Sequence, residues 1–145
     1  LYQSGKLEMA ERLAEGYARA NPADPEGLFL LGRIIFHRGR HAESEQVFKK
    51  YLSLSPGDPE GYYYLGNVYY FLNRLVESEH AYASAAKLNP SSPKIIYNLG
   101  VAYFSLGNYR AMNDCFDTVI SINPNVSFKT KIDEMRRVAG PVKSP

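Results

Sequence analysis

Apolar residues recur along this chain at spacings of three and four, as they do on the packed face of a helix, and the pattern itself returns at a fixed interval. Leu28, Leu31, Gly32 and Ile35 share one face. Tyr62, Leu65, Gly66 and Tyr69 reproduce that face one interval later, and Ile96, Leu99, Gly100 and Tyr103 do so again. Proline keeps the same rhythm at Pro22, Pro56, Pro90 and Pro124. A helical repeat of about 34 residues predicts antiparallel helix pairs stacked into an all-α solenoid. Between pairs, Asp24-Pro25, Asp58-Pro59 and Ser92-Pro93 offer a capping oxygen followed by a proline at the first helical position, where no N–H is missed. Within pairs, Gly5, Gly39, Asn73 and Gly107 occupy one equivalent place. They are the residue types that close a helix in the left-handed conformation.

The predicted units are an incomplete first repeat at 1–22, repeats at 25–56, 59–90 and 93–124, a capping helix at 127–138 and a frayed tail at 139–145. The first unit keeps only its second helix, at 6–20, after a helix tail ended by Gly5. The cadence stops after Pro124 because Asp133 and Glu134 fall where a Leu-Gly pair is needed. The chain opens LYQSGKLEMA without an initiator methionine and enters a repeat halfway, which predicts a segment of a longer protein. With its partner helix missing, the helix at 6–20 is expected to leave Leu7, Leu13 and Tyr17 uncovered.

In each repeat the Leu-Gly pair is followed by small residues opposite it (Ala10, Ser44, Ser78) and then by Phe48, Tyr82 or Phe116. This resembles the tetratricopeptide repeat family, whose signature is a large residue, Leu-Gly, an aromatic, a small residue, an aromatic, another small residue and Pro. The match covers nearly the whole chain in register. It departs at Met112, which fills a small-residue place, and at Tyr17, Tyr51 and Val119, where the third repeat keeps Ala85. Those junctions are expected to be spaced differently.

The resemblance implies a right-handed superhelix whose first helices line a concave groove. A second stripe then faces that groove: Phe29, Arg33 and Phe36; Tyr63, Asn67 and Tyr70; Lys94, Tyr97 and Phe104. Aromatic rings there supply large contact at low rotamer cost. Asn67 and Asn98, on successive helices, can donate to and accept from an extended backbone at once. The expected peptide-binding residues are Phe29, Arg33, Tyr63, Asn67, Tyr70, Lys94, Tyr97 and Asn98. Glu45 and Glu79 are expected on the outer, convex face. Some family members grip a partner's C-terminal carboxylate through residues whose places here hold Phe29, Arg33, Tyr64, Lys94 and Asn98. Only Lys94 keeps the type, so acidic C-terminal tails are not the expected ligand.

Composition narrows the function without naming a partner. A net charge of +2 drawn from 17 basic and 15 acidic residues, with no basic tract, disfavours nucleic acid and anionic membranes as partners. No apolar run is long enough to span a bilayer. His37 and His41 flank the helix-breaking Gly39 and so do not share a metal-binding face. Cys115 has no local cation to activate it, and as the single cysteine it forms no internal disulfide. No cofactor, metal or catalysis is expected. The cytoplasm is the first expectation for location and the periplasm the second. The expected function is protein or peptide binding, with self-assembly through the open N-terminal edge as the alternative.

Overall fold

The computed structural model describes residues 2–142. Its helices are α1 (Tyr2–Ala20), α2 (Pro25–His37), α3 (His41–Leu54), α4 (Pro59–Phe71), α5 (Leu75–Leu88), α6 (Pro93–Ser105), α7 (Tyr109–Ile122) and α8 (Lys129–Ala139). They form the all-α solenoid of antiparallel pairs, each helix packing mainly on its sequence neighbours. Part of the expected tail, residues 143–145, lies outside the described residues.

Local chemistry sets the helix ends. The Asp24 and Asp58 carboxylates each accept from a backbone N–H two places on, Glu26 and Glu60, at 3.0 Å. At the corners inside pairs, Gly39, Asn73 and Gly107 adopt φ of 80°, 58° and 76°. There Gly39 N–H reaches Phe36 O and Arg40 N–H reaches Ile35 O, the paired bonds that close a helix with a left-handed residue. Gly5 does not behave this way. It lies inside α1, which runs unbroken from Tyr2 to Ala20, since a glycine within a helix costs only about 1 kcal/mol and the helix continues through it.

The glycines of the Leu-Gly pairs let aromatic rings approach. A Cβ at Gly32 would stand 2.9 Å from Phe48 Cζ, at Gly66 2.5 Å from Tyr82 Cδ1, and at Gly100 2.5 Å from Phe116 Cε1. Ser44 and Ser78 add a bond of their own, donating to the Gly32 and Gly66 carbonyls at 2.9 and 2.8 Å. Val126 and Ile132 then close the far end, packing with Phe116 and Met112.

One expected surface pair is not free. Glu45 is only 6% exposed and accepts from Arg74 at 2.7 Å and Lys49 at 2.8 Å, while Glu79 accepts from the Tyr103 hydroxyl at 2.9 Å. Their place on helix faces turned toward the next repeat draws them under an arginine or a tyrosine. Arg40 makes the corresponding pair with Glu11, one repeat earlier, at 2.7 Å.

Candidate functional site

The stripe beside the packing face of α2, α4 and α6 is half-buried, and its members differ in how far packing uses them. Phe29 sits against Tyr51 (5.0 Å between ring centres), Tyr64 (5.6 Å) and Phe48 (6.1 Å). Tyr97 lies 4.2 Å from Phe128, just before α8, and 5.9 Å from Phe116. Tyr63 has lighter company, Tyr64 at 5.4 Å and Tyr82 at 6.1 Å, with the Lys94 ammonium 4.7 Å from its ring centre. Lys94 itself donates to Glu60 at 2.9 Å. Burial works against the Lys94 charge, but the Glu60 carboxylate more than offsets it and the ammonium pKa rises.

Asn67, Tyr70 and Asn98 come together. With Phe71, Tyr82 and Val101 they line a hollow of about 190 Å³ between α4 and α6. Asn67 Oδ1 accepts from Tyr82 Oη at 2.5 Å and from Asn98 Nδ2 at 3.2 Å. Tyr70 Oη and Ser105 Oγ pair at 3.3 Å across the same helices. These bonds use Asn67 Oδ1 and Asn98 Nδ2; among the described residues the Asn67 amide nitrogen and the Asn98 amide oxygen make no side-chain bond, so one amide group can still donate and the other accept.

A larger hollow, about 1170 Å³, runs along α1 and α2, and Phe29 and Arg33 are among its walls. Much of the rest is Ala10, Leu13, Ala14, Tyr17 and Leu30. Each lies one repeat before Ser44, Val47, Phe48, Tyr51 or Tyr64, positions of α3 and α4 that flank α2. The hollow thus has the outline of a helix place in the stack. Leu13, expected to be uncovered, is 70% exposed.

Tyr82 and Tyr17 are missing from the sequence-derived site. Tyr82 reads as core because Phe48 and Phe116 hold its place, yet the one atom it adds, the phenol oxygen, is what reaches Asn67. That substitution of Tyr for Phe was the available signal. Burial raises the Tyr82 phenol pKa, so it stays protonated and donates. Cys115 is half-buried, and burial pushes its thiol up to about 11, which keeps it un-ionised. His41 stacks on Phe71 at 5.0 Å, while His37 meets Phe36 edge-on at 5.5 Å.

Family models described as tetratricopeptide repeat match residues 1–59, 59–92 and 93–126. The chain belongs to the tetratricopeptide repeat family. Among solved structures, the array is similar to a crystal structure of MamA, with 24% identity and a TM-score of 0.85 over 95% of this chain and 79% of that one. It also resembles the first such domain of Spaghetti (RPAP3) bound to the HSP90 peptide SRMEEVD, at 20% identity and a TM-score of 0.70, covering 74% of this chain and 86% of that one. A third is the TPR2B domain of yeast Sti1 in its pHsp70 complex, at 17% identity and a TM-score of 0.73, covering 79% and 94%. No curated protein matches the chain. Among the described residues no helix of this tetratricopeptide array is long and apolar enough to cross a membrane.

Proposed function

We propose that this array is a protein-interaction module that takes a peptide segment of a partner into its concave groove, with no catalysis of its own. The observation that carries the reading is the hollow between α4 and α6, where Asn67 and Asn98 hold one amide donor and one acceptor open beside the rings of Tyr70 and Phe71. An extended backbone presents the matching acceptor and donor, and the rings accept its side chains. Two similar folds are seen in complex with an HSP90 peptide and with pHsp70, which supports the mode of binding but not the ligand. The walls favour apolar and aromatic side chains over a nucleic acid. The proposed contacts are Phe29, Arg33, Tyr63, Asn67, Tyr70, Lys94, Tyr97 and Asn98, with Tyr82 behind them. The test is selection from a displayed library of random short peptides. Binders should be lost with Tyr63→Ala plus Asn67→Ala and kept with Gln46→Ala plus His80→Ala, two exposed residues on α3 and α5. Binders that survive the first pair and fail with the second would place the site on the outer surface.

A second reading, self-association, is favoured by one observation. Met9, Leu13, Tyr17 and Leu30 are all exposed along α1 and α2. Molar mass that rises with concentration, and returns to the monomer value with Leu13→Glu, is the expected result on that reading. A constant mass overturns it.

A further inference from the structure

Arg33 stands apart from the other half-buried arginines. Arg40 closes on Glu11, as does the exposed Arg38, Arg74 on Glu45 and Glu77, and Arg136 on Asp117. Arg33 has no carboxylate partner among the described residues, and its Nε is buried without any hydrogen-bond acceptor. Its guanidinium lies 5.4 Å from the ring centre of Tyr64 and 5.7 Å from that of Phe29, so rings hold it in place without neutralising it. Two acids share its hollow. The Asp58 carboxylate already accepts from the Tyr51 hydroxyl and the Glu60 N–H, and Glu26 is exposed two turns away on α2. Lys94, the groove's other cation, is taken by Glu60. The repeats offer no substitute, since the equivalent places one and two repeats on hold Asn67 and Val101.

We propose that Arg33 receives the side-chain carboxylate of an Asp or Glu within the bound segment, so that the groove selects one acidic residue set among apolar ones. The proposal rests on the groove reading above and adds the ligand's charge. A guanidinium held between rings presents its N–H fork already oriented, and a carboxylate meets it with two parallel bonds at little further cost in side-chain entropy. An internal residue fits better than a chain end. The hollow continues past Arg33 toward Leu13 and Tyr17 on one side and Tyr51 on the other, and a single free cation is a poor match for a terminal carboxylate beside a second acid.

The test uses peptides selected from the same displayed library, each remade with its acidic residue changed to the amide and, separately, with an amidated C-terminus. Selection should enrich peptides with one Asp or Glu among apolar residues. The Glu→Gln peptide should bind the unaltered protein on the order of tenfold more weakly, C-terminal amidation should change little, and Arg33→Met should bind the Glu and Gln peptides alike. Met keeps the apolar stem over Tyr64, and Arg33→Lys should retain part of the preference. If groove-dependent peptides show no difference between Glu and Gln, the proposal fails while the groove reading stands. If amidating the C-terminus, and not the Gln change, removes affinity, the carboxylate is terminal and the proposal is overturned. A library with no peptide sensitive to Tyr63→Ala plus Asn67→Ala overturns both.

Discussion

The ring of Tyr51 lies against Gly61, so closely that a Cβ on that glycine would stand 2.9 Å from Tyr51 Cε1 and 2.6 Å from Leu52 Cδ2. The junction before it repeats the arrangement, with Tyr17 Cδ1 2.7 Å from a Cβ placed on Gly27. Both tyrosines also donate to the capping carboxylate of the next helix, Asp24 or Asp58. One junction later the sizes reverse. Ala85 and Ile95 are fully buried at the equivalent places, and Ser92 makes no side-chain cap bond. The repeats keep contact by trading volume across the joint.

That trade predicts a mutational pattern. Gly61→Ala should destabilise by about 1–3 kcal/mol through overpacking, and Ala85→Tyr by a similar amount against Ile95. Ala85→Tyr with Ile95→Gly should recover part of the loss. Thermal melting of these variants together with Ile95→Gly alone checks it, and a double variant that loses the full sum of the Ala85→Tyr and Ile95→Gly costs would show that the two places are uncoupled.

Acid should loosen the stack through the carboxylates beneath the arginines. Burial pushes the Glu45 pKa up, but the bonds from Lys49 and Arg74 outweigh it and leave the carboxyl below its ordinary value of 4.5. A depressed carboxylate contributes stability that is whole above the unfolded value and is lost as pH falls through the native one. Melting temperature should therefore drop below about pH 4.5, and Glu45→Gln should flatten that drop while costing about 1 kcal/mol at neutral pH, because both cations remain partly solvated. An unchanged pH profile in Glu45→Gln would remove Glu45 from the account.

At the N-terminal edge two neighbouring residues should behave oppositely. Leu13 is 70% exposed and Ala14 only 3%. Leu13→Glu should change monomer stability by less than about 0.5 kcal/mol, whereas Ala14→Glu, which buries a charge against Leu31, Ile34 and Ile35, should unfold the first pair or the whole array. Hydrogen exchange should be faster across residues 6–20 than across 62–86. Equal protection in a monomer would contradict the open edge.

The tail peptide SRMEEVD, which a similar domain holds, should bind here weakly or not at all. Lys94 is the lone residue that matches in type the places used to grip a terminal carboxylate, and Glu60 already occupies it. Titration calorimetry settles the point. Micromolar affinity abolished by Lys94→Ala would mean that Glu60 yields its partner to the ligand.

Affinity for groove peptides should fall only modestly with added salt, since one partly buried charge pair is screened far less than several exposed ones. A steep dependence would indicate a ligand read mainly by surface charge.

Spacing alone determined the period, the helix pairs and the left-handed corners at Gly39, Asn73 and Gly107, because these depend on contacts repeated between neighbours in sequence. The repeat also marked a second stripe, with Asn67, Tyr70 and Asn98 among eight candidates on or beside it, and the fold brings those three to one hollow. Tertiary structure decided what the period averages away. Gly5 stays helical within α1; Glu45 is drawn under Arg74; and the Tyr82 hydroxyl reaches past the core to Asn67. Arg33 and Lys94 look alike in the stripe as two groove cations. Only three-dimensional packing separates them, because whether a charge is neutralised depends on a partner within about 4 Å, and sequence spacing does not supply that distance.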